Sequence, residues 1–272
     1  MKTWSFWGDK SPCDSRFHMQ PLESRDLGHE KIWNKMLAEG KWKLQKLRHL
    51  YLDGPTYLPK TDNKAGLPNL QVLTGIDLNE DTESLFAKAR FPNVRKLRLH
   101  CSSWRESELL SSLHPLRHLQ TLKIYEILHL SSPLSFQLSL TKITLERTDL
   151  LQAMKVLGSL TNLRILEVVG GVHENSLICV ECSFRQLEVF KMANVDVLQW
   201  IMQKGAMSSL QRLVLDRCKF SIMPPDELSC LTTLRDVEVL HLQNWQRCFN
   251  SCKWGMDVSS KSIHLYIRLI EK

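Results

Sequence analysis

Leu160-Thr-Asn-Leu163-Arg-Ile-Leu166-Glu-Val168 places apolar residues at the first, fourth, seventh and ninth positions of a nine-residue phrase, and that spacing decides the fold. The same phrase recurs as Phe91-Pro-Asn-Val94-Arg-Lys-Leu97-Arg-Leu99, as Leu116-Arg-His-Leu119-Gln-Thr-Leu122-Lys-Ile124 and as Phe184-Arg-Gln-Leu187-Glu-Val-Phe190-Lys-Met192. Met207 to Leu215 and Leu231 to Val239 continue it, Leu44 to Leu52 and Leu67 to Leu73 begin it, and a weaker copy from Gln137 keeps Leu140, Ile143 and Leu145. Starts at 44, 67, 91, 116, 137, 160, 184, 207 and 231 are 21 to 25 residues apart, a phase that chance leucine richness would not hold and that lies inside the ~20–29-residue period of leucine-rich repeats.

Each repeat then contributes a short strand whose Leu-x-Leu pair points inward, and no single repeat can bury that face alone. Stacking in register predicts an α/β leucine-rich-repeat solenoid. A curved parallel sheet forms its concave face, about 40 Å long at ~4.8 Å per strand, and irregular loops or short helices form its convex face. Three domains are expected: 1–43 as an N-terminal cap or poorly ordered segment, 44–240 as about nine repeats, and 241–272 as a C-terminal cap or tail. Trp4, Trp7, Trp33 and Trp42 fall in the first without repeat phase, and Pro12 and Pro21 interrupt helix there. The Gly-, Pro-, Asp- and Asn-rich stretch Asp53 to Gly66 reads as an exposed loop. Alternation in Ile263-His-Leu265-Tyr-Ile267-Arg-Leu269 suits a terminal strand that covers the last repeat. The Asn or Cys expected three residues after the second strand leucine is clear only at Cys218. In the second repeat Gly75 occupies that leucine's place, and a frame shifted onto Leu70, Leu73, Ile76 and Leu78 competes with the frame from Leu67.

Composition narrows the function classes. The chain has 272 residues, 43% hydrophobic and 24% charged, as ordinary globular proteins do. Neither a secretory leader nor a run of ~18 apolar residues is present, Asn-x-Ser/Thr is absent, and the eight cysteines form no dense framework. A cytoplasmic place is expected, with the nucleus as an alternative. A formal charge of +7 raises the chance of an acidic partner. Zinc-finger spacing, a basic helix and aromatic ribonucleoprotein motifs are all missing, which counts against nucleic acid.

Catalysis finds no motif. Gly40-Lys41 is followed by Trp42 and lacks the upstream glycine and hydroxyl of a phosphate-binding loop. Cys179-x-x-Cys182 and Cys248-x-x-x-Cys252, with His173 and His241 nearby, have the wrong spacing for a zinc site. No nucleophile elbow supports a triad. Neither enzyme activity nor a cofactor or metal is therefore expected. The informative residues are those between and after the apolar strand positions, where side chains can meet a partner on the concave face. These are Arg48 and Tyr51; Arg95, Lys96, Arg98 and His100; Lys123 and Tyr125; then Lys142, Lys191 and Arg212. The early ones form a basic patch. Later repeats add Glu167, Asp216 and Glu238, giving a mixed surface.

Several phrases resemble the repeat domain of plant intracellular NLR disease-resistance proteins, particularly the coiled-coil, late-blight-resistance-like class. They are Ile32-Trp33 followed by Leu44-Gln-Lys-Leu-Arg-His-Leu-Tyr-Leu52, Leu67-Pro-Asn-Leu-Gln-Val-Leu-Thr-Gly75, Leu140-Thr-Lys-Ile-Thr-Leu145, Leu160 to Leu166, Phe184 to Phe190, and Ser209 to Cys218. The resemblance covers about 44 to 240. It implies an immune receptor module whose repeat face recognises a pathogen effector or host target and restrains a nucleotide-binding switch. A basic early surface such as Arg95, Lys96, Arg98 and Lys123 would meet that switch's acidic side. Coiled coil, phosphate loop and switch motifs are missing from this sequence, so the resemblance further implies a truncated derivative. The alternative is an F-box-type leucine-rich-repeat substrate adaptor of a ubiquitin ligase, whose docking helices are not apparent in residues 1–43.

Overall fold

In the computed structural model, the residues described below are 44–58, 66–101, 113–126, 139–171, 175–222, 225–241 and 264–268. The expectations for 1–43, Gly40-Lys41, His173, Cys248 and Cys252 lie outside them. The chain divides into two compact bodies, one of Met1–Tyr125 with Leu134–Leu140, the other of Glu126–Pro133 with Thr141–Lys272.

In the first body, β1 (His49–Thr56), β2 (Val72–Asp77), β3 (Lys96–His100) and β4 (Thr121–Tyr125) lie side by side in chain order. All pair in parallel. The phrase explains their direction: Leu97, Leu99, Leu122 and Ile124 point inward and are buried, while the residues between them face out. Burying such a side chain contributes ~1.5–3 kcal/mol, so the repeated pair accounts for much of each repeat's cohesion. Helix α1 (Glu80–Ala87) follows β2. Asn79 caps it by accepting the Thr82 N–H at 2.8 Å, with Leu85 and Phe86 buried.

The open register of the second repeat is settled by pairing. Leu73 lies beside Leu97 and Ile76 beside Leu99, with a bulge between them. The frame from Leu67 therefore holds through Leu73, and one inserted residue, Gly75 at φ +78°, passes the inward role to Ile76. A Cβ on Gly75 would stand 2.0 Å from the Leu52 carbonyl oxygen, which is why glycine occupies the bulge. The loop expected from Asp53 is corrected in part, because β1 runs through Gly54-Pro55 to Thr56. Proline is tolerated there because the β1–β2 pairing is irregular between Tyr51 and Thr56, so a missing N–H is not a break.

In the second body the order is β5 (Lys142–Thr148), β6 (Ile165–Gly171), β8 (Val189–Ala193), β10 (Arg212–Asp216), β12 (Asp236–Leu240) and β13 (His264–Arg268), with parallel pairing between neighbours. Thus 264–268 does form a terminal strand against the last repeat. Helix α2 (Leu150–Leu157) is capped by Asp149 and buries Leu150, Ala153, Met154 and Leu157, one helical stripe. Beside the loops and short helix expected between inner strands, this body also holds further strands. β7 (Asn175–Cys179), β9 (Asp196–Met202) and β11 (Lys219–Phe220) make a separate parallel sheet in the order β11-β9-β7. It buries Leu177, Cys179, Val197, Trp200 and Met202 on one face.

Two further devices recur. Residues two beyond the second inward strand position adopt left-handed backbone: Glu126, Arg147, Gly170, Asn194, Arg217 and His241, with φ between 50° and 65°. Their turn aims an N–H at the next strand, as in Asn194 N–H to Asp216 O at 2.8 Å and Arg217 N–H to Leu240 O at 2.9 Å. The third position of a repeat also ties back to the carbonyl of the previous one. Asn69 donates to Gln45 O and Asn93 to Pro68 O in the first body, Ser209 to Arg185 O and Thr233 to Ser208 O in the second.

Candidate functional site

Strand register arranges the outward positions into columns. In the first body Arg98 lies beside Lys123 and His100 beside Tyr125. Tyr125 is the centre of this group: the Arg98 guanidinium carbon is 4.5 Å from its ring centroid, and the Lys123 ammonium nitrogen 4.9 Å. His100 stacks on the same ring at 4.5 Å with planes 7° apart, and Arg98 donates a hydrogen bond to the Tyr125 hydroxyl. Lys96 is exposed at the start of β3. Arg48 and Arg95 are exposed just before their strands, each with its carbonyl oxygen accepting two N–H groups of the next repeat. Tyr51 is half-buried and meets His49 edge-on, ring centroids 6.2 Å apart.

Five cations therefore share this face, and among the described side chains at its outward strand positions the carboxylate is the buried Asp77. The field is felt by His49, whose pKa is lowered by burial first, and then by the charges on Arg48 and Lys96. A positive face of this kind attracts carboxylates and resists a second base.

The second body handles the same residue types differently. Glu167 takes the Lys142 ammonium at 2.9 Å, the Thr144 hydroxyl at 3.1 Å and the Lys191 ammonium at 3.5 Å. Burial opposes ionisation of Glu167, but the bonds from Lys142 and Thr144 and the charges on Lys142 and Lys191 outweigh it and hold the carboxyl below its ordinary range. Arg212 binds Glu238 at 2.7 Å. Asp216 accepts from His241 at 2.9 Å and Arg217 at 3.3 Å, and these bonds outweigh its burial, so its pKa is also lowered. The sequence-predicted Lys142, Lys191 and Arg212 are thus brought beside acids, whereas Arg98, His100, Lys123 and Tyr125 are brought together. The pairs lie about one repeat apart in sequence, so the period carried a signal for them: residues some 23 to 25 positions apart are strand neighbours.

Among the described residues no group of three or more His, Cys, Asp or Glu side chains could hold a metal ion. Cys179 is buried, its thiol pushed up to about 12 by desolvation, while Cys182 is exposed. Cys218 at the ladder position is likewise buried and pushed up to about 11, a packed thiol and not a nucleophile. Among the same residues no helix is long and apolar enough to cross a membrane.

No protein-family model matches the chain. It is similar to proteins of Solanum demissum. The late blight resistance protein homolog R1B-23 is 27% identical over 77% of this chain and 17% of its own length. Homolog R1B-16 is 26% identical over 80% and 18%, and late blight resistance protein R1-A is 28% identical over 68% and 15%. The resemblance to disease-resistance repeats thus extends through most of the chain, and the chain spans less than a fifth of the length of these relatives.

Proposed function

We propose that the chain is a protein-binding module of plant disease-resistance type, acting by recognition and not by catalysis. Its ligand is an acidic stretch of a protein partner, received on the outward face of β3 and β4. The partner is a pathogen effector, a host target or the nucleotide-binding domain of an NLR receptor. The observation that carries this reading is the cluster of Arg98, Lys123, His100 and Tyr125 beside exposed Lys96. The late-blight-resistance names of the relatives support the biological setting.

Charge decides more here than area, because a positive face steers an acidic partner and sets its register. The test is equilibrium binding at low salt of the full chain to a synthetic oligoglutamate peptide and to the switch domain of a late-blight-resistance protein. Reversing Arg95, Arg98 and Lys123 to Glu is expected to weaken both by about 100-fold, and raising the salt is expected to weaken wild-type binding. Equal binding by wild type and the triple variant would contradict the proposal.

A further inference from the structure

We infer that the outer sheet of the second body, β11-β9-β7, is an interface between two copies of this chain, packed face to face about a two-fold axis. Parallel sheets occur almost only where both faces are covered. The inward face of this one is covered, with Leu177, Val197 and Trp200 buried. The outward face carries Ile178 and Ile201, half-buried neighbours across β7 and β9, together with Val180 and Leu198 at 40% and 42% exposed. Leu198 is there because the register shifts: Asn175 pairs with Val197 and Ser176 with Gln199, which leaves one extra residue on β9. That residue is a leucine turned to solvent, and a bulge re-aims a side chain at the expense of regular ladder pairing.

Charge identifies what covers the patch. β9 is the central strand of the sheet. Asp196 opens it and Lys204 stands two residues beyond its end, both exposed. These opposite charges flank the apolar stretch, about 26 Å apart at ~3.3 Å per residue. A two-fold axis crossing the middle of β9 sets a second β9 antiparallel to the first. Lys204 of each copy then meets Asp196 of the other, and Leu198 of each meets Ile201 of the other, so the patch is its own complement. Asp196 already binds Lys219 at 3.3 Å, with side chains 50% and 69% exposed, and a carboxylate has room for a second cation. Every contact the patch needs is supplied by a second copy of itself.

The experiment is sedimentation of the full chain over a concentration series, with Leu198→Glu, Lys204→Asp and Asp196→Lys variants. All three positions are exposed, so the changes leave the core intact. The wild type is expected to dimerise with a Kd on the order of tens of micromolar, as suits a small interface. Leu198→Glu, which sets a charge in the apolar centre from both sides, should weaken this about 100-fold. Lys204→Asp and Asp196→Lys each bring like charges together twice and should each weaken it about tenfold. An equimolar mixture of those two restores both opposite-charge contacts and should dimerise as the wild type does. A wild-type chain that stays monomeric throughout would overturn the inference and leave the face to a different partner. A dimer that none of the variants weakens would also overturn it, since it would use another surface. A mixture that does not recover would overturn the two-fold pairing of Asp196 with Lys204.

Discussion

The two bodies carry the same lysines and arginines at equivalent strand positions and do opposite things with them. In the first, Arg98 and Lys123 converge on a neutral ring. In the second, Lys142 and Lys191 converge on Glu167, and Arg212 on Glu238. Exposed pairs of this kind contribute only ~0–1 kcal/mol to stability. Their consequence is electrostatic: carboxylates offset the cations of the second face, whereas on the first face two cations share one aromatic ring. A basic residue in a repeat is therefore a binding candidate only after its neighbours one repeat away have been read.

The strand backbones differ as well, and the largest expected effect lies at a bulge inside β2. Gly75→Ala in the first body places a Cβ against the Leu52 carbonyl at a positive φ. It should cost about 3 kcal/mol or more, measured by denaturant unfolding. The next effect would erase the contrast between the faces. Glu167→Gln removes the acid that Lys142 and Lys191 share, at side-chain exposures of 34% and 43%, so stability should fall by only about 1 kcal/mol. Oligoglutamate binding should meanwhile appear on the second body, and its absence would mean that the cancelled charge was not what kept that face inert.

Acid should separate the two networks by pH. His49 has its pKa lowered from 6.5, so the unfolded chain takes up the proton first. Its contribution is present above pH 6.5 and is lost as pH falls through that value towards the lowered one. Glu167 has its pKa lowered from 4.5, so its contribution is present above pH 4.5 and is lost only as pH falls through the lowered value. Unfolding free energy measured against pH should therefore lose the upper slope in His49→Gln and the lower slope in Glu167→Gln. The smallest effect is at the left-handed column. Arg217→Gly relieves an unfavourable φ of 50° at the loss of an exposed ion pair, and should raise stability by about 0.5–1 kcal/mol in thermal unfolding.

The architecture was legible in the sequence wherever burial fixed it. Leu97, Leu99, Leu166 and Val168 must face inward for any repeat to cohere, and their spacing says so. The bulge at Gly75 was half legible, since glycine in an inward position signals an irregularity, but pairing with Leu97 and Leu99 was needed to place it. The outer sheet was not legible. Asp196 to Met202 has no fixed phase with the repeat, and its strand character depends on Asn175–Cys179 and Lys219–Phe220 lying alongside. At the candidate site the residue types were legible and their roles were not. Tyr125 stood among the candidates as a contact residue, whereas its part as the holder of two cations depends on side-chain geometry that spacing does not encode.

Zero-length carbodiimide crosslinking of an oligoglutamate peptide to the wild-type chain, with the joined lysines located by mass spectrometry, tests the central claim most directly. Peptide carboxylates should join Lys96 and Lys123, while Lys142 and Lys191 should couple internally to Glu167. Peptide adducts concentrated on Lys142 and Lys191, with Lys96 and Lys123 left unmodified, would contradict it.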